Sequence, residues 1–145
     1  SSGFPQAPFT ASLPPVSQPS VHLVIPAFNE APVLPELFRR LDGVFAGRTD
    51  IRWTVVLVDD GSRDATAALI EGRCSIDPRY RLIRLSRNFG FQAALCAGLS
   101  ASGDADAVVT LDADLQDPPE VIPSLVDAWR TGAEVVLAVR RSREE

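Results

Sequence analysis

The sequence of 145 residues contains no lysine, one histidine and two cysteines. A zinc site built on histidines is disfavoured because His22 stands alone, and nothing around it resembles the turn of a nucleophilic serine. Cys74 and Cys96 lie far apart and form no CxxC pair. They are therefore predicted to be free thiols in a reducing compartment, although a disulfide between them stays open.

Long apolar runs and long basic runs are also missing from the sequence. No apolar run approaches the roughly 18 residues that a helix needs to cross a bilayer, so these residues are not expected to span a membrane. The net charge is −5 and basic residues occur at most in pairs, which disfavours a nucleic acid as the partner. The hydrophobic fraction of 46% and the charged fraction of 23% are typical of a globular domain with its own core.

The chain divides into an N-terminal tail and one domain. Residues 1–20 contain five prolines, no charged residue and no hydrophobic periodicity, which predicts a flexible tail. Residues 21–145 carry the apolar patterns of regular secondary structure. Because the chain stops soon after the last predicted strand, we expect it to be a piece of a longer protein.

Predicted strands and helices alternate along the domain. Residues 21–26, 53–59, 80–85, 107–112 and 134–139 are the predicted strands, and residues 31–46, 65–74, 91–101 and 119–131 are the predicted helices. The second and fourth strands are nearly continuous apolar runs, which is typical of strands buried on both faces of a parallel sheet. The sequence therefore predicts an α/β fold with a doubly wound, mostly parallel sheet and helices on both faces.

Polar clusters follow four of the predicted strands. They are PAFNE at 26–30, DDGS at 59–62 with Asp64 and Thr66, SRNFG at 86–90, and DADLQD at 112–117. Parallel strands bring their carboxyl ends to one edge of the sheet, which is where ligands bind in such folds. This edge is thus predicted to form a cleft with up to six carboxylates and one arginine.

A divalent cation is the simplest way to relieve the repulsion among so many carboxylates. Asp112 and Asp114 are two residues apart where the fourth strand opens into a loop, so both carboxylates can turn toward one point. Gln116 continues the spacing with a neutral oxygen. Ligands that are all oxygens favour Mg²⁺ or Mn²⁺ over zinc, which predicts a magnesium or manganese site.

Each of these patterns has a simpler interpretation when it is taken alone. Asp-Gly-Ser is typical of a turn, and a single DxD often arises by chance. Asn29 and Glu30 suit the start of a helix, and Arg87 suits a surface ion pair. Only their convergence at one sheet edge favours a binding site.

Four segments in this order, PAFNE, VDDGSRDAT, SRNFGFQAALCAG and LDADLQDPPE, resemble the signature blocks of family 2 glycosyltransferases. DADLQDPPE and SRNFG are most similar to the polyprenyl-phosphate branch, with its dolichyl-phosphate mannose synthases and its glucosyl and aminoarabinosyl transferases of undecaprenyl phosphate. The resemblance implies the Rossmann-like GT-A fold in residues 21–145, truncated on the acceptor side. It also implies inverting transfer of a sugar from a nucleotide sugar to a polyprenyl phosphate, with a UDP-sugar favoured and GDP-mannose open.

The resemblance also assigns roles to single residues. The residues implied to bind the nucleotide sugar are Pro26, Ala27, Phe28, Glu30, Val58, Asp59, Asp60, Arg87, Gly90, Asp112, Ala113 and Asp114. Val58 and Asp60 would lie beside the base, with an Asp60 oxygen accepting from a base N–H and Asp59 in support. Many relatives have tyrosine at the position of Phe28, so ring stacking would persist here without a hydroxyl contact.

For the reaction itself, the resemblance implies three catalytic residues, Asp112, Asp114 and Arg140. Asp112, Asp114 and Gln116 would hold the divalent cation, and Arg140 would face the diphosphate or the acceptor phosphate. Relatives continue with acceptor-binding and membrane-associated segments. We therefore expect residues 1–145 to bind the donor without turnover. The whole protein is expected at the cytoplasmic face of the membrane, as a monomer or a homo-oligomer.

Other protein classes fit the sequence less well. A phosphatase of the haloacid dehalogenase type also uses a DxD with Mg²⁺, but it places the DxD after its first strand and needs a lysine, which this chain lacks. A dinucleotide-binding dehydrogenase is disfavoured because the first predicted strand–helix turn contains no glycine. A non-catalytic nucleotide-sugar-binding module stays open as a description of this chain.

Overall fold

A parallel sheet forms the centre of the computed structural model, which describes residues 18–131. Its strands are β1 (Ser20–Ala27), β2 (Arg52–Asp59), β3 (Tyr80–Arg84) and β4 (Ala107–Thr110). The strand order is β3-β2-β1-β4, and every neighbouring pair is parallel. The chain moves outward from β1 through β2 to β3 and then returns to the other side of β1. This reversal is the mark of a doubly wound sheet, so the predicted fold class is confirmed.

Helices connect the strands and cover both faces of the sheet. They are α1 (Leu34–Gly47), α2 (Thr66–Ile76), α3 (Phe91–Ser100) and α4 (Ile122–Arg130), the last preceded by a 3₁₀ turn (Pro119–Val121). Even α1 has only 14 residues. Within residues 18–131, no helix combines the length and the apolar character that crossing a membrane requires.

The hydrophobic core has one layer on each face of the sheet. Alternate residues of a strand point to opposite faces. Leu23 and Leu57 belong to the larger cluster, which packs under α1, α2 and α4. Val24 and Val58 belong to the smaller cluster, which packs under α3. Burial of β2 on both faces explains why its sequence is a nearly continuous apolar run. The other strand predicted from such a run, β4, is mostly half-buried and lies at the end of the described sheet.

The predicted elements within the described range are present, but several of their ends differ. The first helix begins at Leu34 rather than at residue 31, because residues 31–33 form a turn that the N–H of Val33 closes by donating to the carbonyl of Glu30 at 3.0 Å. The predicted helix at 119–131 is divided into the 3₁₀ turn and α4. The fourth strand ends at Thr110 rather than at residue 112, so Asp112 lies in the following loop.

Some predictions fall outside the described residues. These are the tail up to residue 17, the strand at 134–139 and Arg140. Ser20 was assigned to the tail, but it is the first residue of β1, and its N–H donates to Asp106 Oδ2 at 2.8 Å. Cys74 and Cys96 are free thiols, as predicted.

Candidate functional site

A cavity lies at the carboxyl ends of the strands. The parallel register pairs Ala27 with Asp59 and Asp59 with Arg84, so the loops after β1, β2 and β3 leave the sheet at one level. The cavity has a volume of about 330 Å³. Its lining residues are Pro26, Ala27, Phe28, Glu30, Asp60, Asn88, Gly90, Phe91, Asp112, Ala113 and Asp114.

Nine of the twelve residues that were predicted to bind the nucleotide sugar line this cavity. The other three, Val58, Asp59 and Arg87, lie outside the lining. Val58 is fully buried in the core cluster under α3, and Asp59 is 1% exposed. Asp59 Oδ1 accepts from the N–H of Ser62 at 3.1 Å, so this carboxylate shapes the turn after β2.

Two lining residues, Asn88 and Phe91, were not singled out from the sequence. Asn88 belongs to the loop after β3, and Phe91 is the first residue of α3. Phe28 and Phe91 are 43% and 48% exposed although both are large and apolar. Such exposed rings beside a cavity are suited to stacking against a planar ligand. The repeated aromatic residues in NFGF were the sequence signal that could have identified Phe91.

The loops after β1 and β2 are joined by hydrogen bonds. Three successive backbone N–H groups donate to side chains of the second loop and of the first residue of α2: Asn29 to Ser62 Oγ at 2.8 Å, Glu30 to Thr66 Oγ1 at 2.9 Å and Ala31 to Asp64 Oδ2 at 3.2 Å. In the reverse direction, the N–H of Arg63 donates to Asn29 Oδ1 at 2.8 Å. Asn29 has a φ of 54°, a conformation that asparagine adopts more readily than most residues. The PAFNE segment is therefore held in place by the loop after β2.

Asp64 connects the start of α2 to the loop after β1. Its Oδ1 accepts from the N–H and the hydroxyl of Thr66 at 2.9 and 2.5 Å, while its Oδ2 accepts from Ala31. These hydrogen bonds, led by the one from the Thr66 hydroxyl, hold the pKa of Asp64 below its usual value. Ala65 occupies the position before the helix, and Asp64 binds Thr66 from one residue earlier.

Asp60 binds the loop after β3. Its side chain is almost completely buried, at 3% exposure. Oδ1 accepts from the N–H of Phe89 at 2.8 Å, and Oδ2 accepts from the N–H of Gly90 and from Asn88 Nδ2, each at 3.1 Å. Gly90 has a φ of 106°, which is open to glycine and strained for other residues. The predicted contact between Asp60 and the base stays a prediction.

Gly61 allows the loops after β2 and β3 to touch. It has a φ of 73°, and a Cβ at this position would collide with the backbone of Arg87 and Asn88. The Asp-Gly-Ser segment is therefore a turn, as its simpler interpretation says, and also a place of close backbone packing.

Carboxylates dominate the charge of the cavity. Glu30, Asp60, Asp112 and Asp114 line it. Burial, followed by the negative charges of Asp114 and Asp64, raises the pKa of Glu30 above its ordinary value. The protein alone thus leaves Glu30 in surroundings that disfavour its charged form, and a bound cation would relieve this.

The donor set fits a hard cation that shares its coordination shell with phosphate oxygens. Asp112 and Asp114 both line the cavity, and Asp114 Oδ1 accepts from the N–H of Gln116 at 3.1 Å, which closes a short turn. Gln116 itself is not in the lining. Within residues 18–131, no three His, Cys, Asp or Glu side chains are grouped to hold a metal ion. Mg²⁺ is typically held by one or two carboxylates together with water and substrate phosphates.

Of the two arginines predicted at the site, only Arg87 lies among the described residues. Arg87 is exposed and lies outside the cavity lining, and its guanidinium carbon lies 4.1 Å from the centre of the Phe89 ring, a cation–π contact. Its contact with a donor stays a prediction. Arg140 lies outside the described residues.

Proteins similar to this chain carry the names of glycosyltransferases. Undecaprenyl-phosphate 4-deoxy-4-formamido-L-arabinose transferase of Pseudomonas fluorescens is 46% identical over 128 residues, which covers 86% of this chain and 36% of that protein. Bactoprenol glucosyl transferase of Shigella phage SfV is 42% identical over 124 residues, which covers 85% of this chain and 39% of that protein. The chain thus spans less than half the length of these relatives.

Solved structures share the fold. A mannosyltransferase of Pyrobaculum calidifontis in complex with GDP-Man and Mn²⁺ matches 77% of this chain, with a TM-score of 0.60 at 26% identity, and the match covers 32% of that protein. The S. aureus protein TarS in complex with UDP matches 74% of this chain and 33% of its own, with a TM-score of 0.57 at 22% identity. The likeness to TarS concerns the fold alone. The predicted GT-A architecture is confirmed.

The family assignment covers most of the chain. The sequence model of glycosyl transferase family 2 matches residues 22–145, which include all four polar clusters. The predicted resemblance to this family and to its polyprenyl-phosphate branch is confirmed by this match and by the two relatives. The chain therefore belongs to glycosyl transferase family 2.

Proposed function

We propose that the protein carrying this chain is a metal-dependent, inverting glycosyltransferase that moves a sugar from a nucleotide sugar to a polyprenyl phosphate. Residues 21–145 form its donor-binding domain. One observation carries the proposal: Asp112 and Asp114 share a cavity with Phe28 and Asp60 at the strand ends of a family 2 domain. The names of the relatives, which refer to undecaprenyl phosphate and bactoprenol, support the lipid acceptor.

The cavity wall offers the groups that a nucleoside diphosphate requires. Phe28 and Phe91, which line the cavity, would stack on a base, and Asp112 and Ala113 in the loop after β4 would contact ribose and phosphate. We favour a UDP-sugar over GDP-mannose because the chain is more similar to the relatives named for other sugars than to the mannosyltransferase. The relatives named for an arabinose derivative and for glucose share 46% and 42% identity with this chain, whereas the mannosyltransferase that holds GDP-Man shares 26%.

Asp112 and Asp114 would hold Mg²⁺ or Mn²⁺ together with the diphosphate of the donor. The Mn²⁺ in the solved mannosyltransferase supports this assignment. When bound, the cation neutralises the charge that builds on the departing nucleoside diphosphate. Gln116 stays a predicted third ligand.

The acceptor oxygen belongs to a phosphate that is already anionic at neutral pH. Its attack on the sugar therefore depends on positioning and charge steering more than on a general base. Arg140 is the residue predicted to provide that steering. Nucleotide sugars arrive from the cytosol while a polyprenyl phosphate stays in the bilayer, so we infer that the whole protein acts at the cytoplasmic face of the membrane.

Calorimetric titration with UDP and GDP tests the donor site. We expect UDP to bind in the presence of Mn²⁺, GDP to bind more weakly, and a chelator to weaken UDP binding at least tenfold, about 1.4 kcal/mol. Equal affinity with and without chelator would contradict the metal assignment. Failure of both nucleotides to bind would contradict the donor site itself.

A transfer assay separates donor binding from turnover. The donors are UDP-glucose, UDP-aminoarabinose derivatives and GDP-mannose with labelled sugars, and the acceptor is a short-chain prenyl phosphate in detergent. We expect transfer by the whole protein and donor binding without transfer by the 145-residue chain. Activity of the whole protein toward water-soluble acceptors alone would contradict the lipid acceptor but leave the donor site intact.

A further inference from the structure

Helix α3 presents no charged side chain to its surroundings. Residues 88–103, which include the whole helix, contain no aspartate, glutamate, lysine or arginine. Ala94 and Gly98 are buried against the sheet, whereas Leu99 is 41% exposed. The side of a surface helix that points away from the core normally carries charged and polar residues. The exposed side of α3 therefore lacks the charges that usually keep a helix surface in water.

The face of the sheet under α3 is covered less completely than the opposite face. In the described part of the chain, α3 alone packs on this face, whereas α1, α2 and α4 pack on the other. Ile83, Leu85 and Leu95 pack against the smaller cluster but stay half-buried. Phe89, two residues before the helix, is 47% exposed and lies outside the cavity lining. We refer to these four apolar residues together with Leu99 as the α3 surface.

The charges beside the α3 surface are positive. Arg81 and Ile83 are two residues apart in β3, so Arg81 lies on the same face of the sheet. Arg87 is exposed in the loop that leads to α3 and stacks on Phe89. Neither arginine forms a salt bridge with a residue of the described range, and the first acid after α3 is Asp104. In a chain with a net charge of −5, this apolar region with a positive border is complementary to a partner that is both apolar and anionic.

A bilayer that contains anionic phospholipids has both properties. Apolar side chains enter it at the boundary between headgroups and acyl chains, and its phosphates attract arginines. The α3 surface is also continuous with the donor cavity, because Phe91 is the first residue of α3 and lines the cavity. A second copy of the chain fits less well, since a two-fold pairing would set Arg81 and Arg87 of one copy beside those of the other.

We propose that the α3 surface docks the domain on a bilayer of anionic phospholipids, with Phe89 and Leu99 at the level of the headgroups and Arg81 beside the lipid phosphates. This inference rests on the proposed function, because a polyprenyl phosphate acceptor stays in the bilayer. Docking through α3 places the cavity, whose lining includes Phe91, at the surface that holds the acceptor. The donor domain thereby adds a membrane contact of its own to any that other parts of the protein provide.

Flotation of the 145-residue chain with lipid vesicles tests this contact. We expect the chain to bind vesicles of phosphatidylcholine with phosphatidylglycerol, and to bind about fivefold or more weakly to phosphatidylcholine alone or at high salt. Leu99→Asp should weaken binding about tenfold or more, because it replaces an inserted apolar side chain with a charge. Ile76→Asp is the matched control and should bind within roughly twofold of the unaltered chain. Ile76 is 73% exposed on α2, which packs on the opposite face of the sheet, and its substitution changes the net charge equally.

Cys96 provides a second measurement that changes no residue of the α3 surface. It is an exposed free thiol of α3, and Cys74→Ser leaves it as the single thiol of this chain. The emission of an environment-sensitive fluorophore on Cys96 should shift to shorter wavelength with anionic vesicles, and nitroxide groups in the lipid acyl chains should quench it. The same label should be quenched in the whole protein after reconstitution into vesicles, with its other cysteines replaced.

Three results would overturn the inference. The first is equal affinity of Leu99→Asp and Ile76→Asp for anionic vesicles. The second is a Cys96 label that lipid nitroxides leave unquenched in the whole protein, which would show that another part of the protein covers α3. The third is self-association of the chain that Leu99→Asp abolishes and that vesicles do not reverse, which would assign the surface to a second copy.

Two controls separate this inference from the stability of the variant and from the proposed function. If a thermal melt shows that Leu99→Asp fails to fold, the Cys96 label decides the matter. UDP binding by the 145-residue chain and sugar transfer by the whole protein in detergent need no bilayer. Their failure would overturn the proposed function, whereas their success without vesicle contact would overturn this inference alone.

Discussion

Two adjacent acids at the end of β2, Asp59 and Asp60, are both buried but stabilise different loops. Asp59 accepts from Ser62 in its own turn, and its Oδ2 lies 3.9 Å from Nε of Arg84 on the neighbouring strand. Asp60 binds the loop after β3. Successive side chains at a strand end point in opposite directions, which accounts for this division. The Asp-Asp pair therefore has two separate structural roles.

Asp60→Asn should weaken donor binding by disturbing the loop after β3. The substitution leaves one acceptor oxygen instead of two and turns an N–H₂ group toward the N–H donors of Phe89 or Gly90. We expect UDP affinity to fall by about 1–3 kcal/mol, as for a buried donor that loses its partner. Calorimetry should show that pyrophosphate weakens too and that the remaining binding still depends on Mn²⁺. Unchanged UDP affinity would exclude Asp60 from the donor site.

Asp114→Ala should abolish the effect of Mn²⁺ on donor binding while preserving the fold. Asp114 is half-buried in a loop, so its loss opens no core cavity, and it removes a charge that raises the pKa of Glu30. We expect an unchanged or slightly higher Tm without ligand, and UDP binding that no longer responds to chelator. A thermal melt and a titration measure the two effects. A strongly lowered Tm would show that Asp114 is structural.

The sequence predicted where the functional side chains lie better than what each of them contacts. Parallel strands bring their ends together, so residues such as Phe28 and Asp114 could be assigned to one cavity from the strand pattern alone. The bond between Asn88 and Asp60 joins residues 28 positions apart and depends on how two loops pack, which no local pattern reveals. The side chain of Val58 packs in the core under α3, and its predicted place beside the base stays a prediction.

Among the elements, α3 crosses the sheet at a glycine. A Cβ on Gly98 would collide with Cγ1 of Val24 and lie 3.2 Å from Cγ2 of Val58. Both atoms are methyl groups of buried, β-branched side chains, which have little freedom to move away. The close approach of α3 to β1 and β2 therefore requires that this position have no side chain.

Gly98→Ala should destabilise the domain although alanine is the better helix former. Overpacking in a filled core typically costs about 1–3 kcal/mol, which exceeds the helix preference of up to about 1 kcal/mol. Gly72→Ala in α2 is the matched control, because a Cβ there meets nothing within 4 Å. Urea denaturation should show a lower free energy of unfolding for Gly98→Ala and a higher one for Gly72→Ala. Equal effects of the two substitutions would contradict the packing argument.

The order and type of the elements followed from hydrophobic periodicity, whereas their ends depend on particular hydrogen bonds. The third strand was predicted to extend to Leu85, and it ends at Arg84 although the N–H of Leu85 still donates to Asp59 at 2.9 Å. In the same way, the turn at Glu30 delays the start of α1. Periodicity reports which residues face the core, and it is insensitive to the last bond of a ladder or helix.

At the scale of the whole domain, the end of the sheet opposite the cavity holds a buried histidine. His22 and Ser102 are 2% and 3% exposed, and His22 Nδ1 lies 3.0 Å from Ser102 Oγ. Burial lowers the pKa of His22 below its ordinary value of 6.5; the charge of Asp104 opposes this shift, and that of Arg81 adds to it. The folded domain therefore keeps His22 neutral at a pH where the unfolded chain has begun to protonate it.

The free energy of unfolding should fall as the pH drops below 6.5. The unfolded chain binds a proton at His22 first, so the unfolded state gains stability until the pH reaches the lowered pKa of the folded state. Carboxylates with lowered pKa values, such as Asp64 and Asp77, lose their stabilising effect only below about pH 3.8. Denaturation experiments at several pH values between 7 and 5 should therefore show that the free energy of unfolding depends less on pH in His22→Gln than in the unaltered chain. Identical pH dependence in both proteins would exclude this role.

Because hydrogen bonds join the loops before a ligand binds, the conformational entropy of the cavity wall is lost on folding rather than on binding. Asn29 is bound to Ser62, and Asp60 is bound to Asn88, without any ligand. Fixing the backbone of one residue costs about 1–2 kcal/mol of conformational entropy, and here that cost belongs to folding. A nucleotide therefore meets loops after β1, β2 and β3 that are already joined to one another. Its association should be a single fast phase in stopped-flow mixing, and heat should abolish binding and folding at the same temperature.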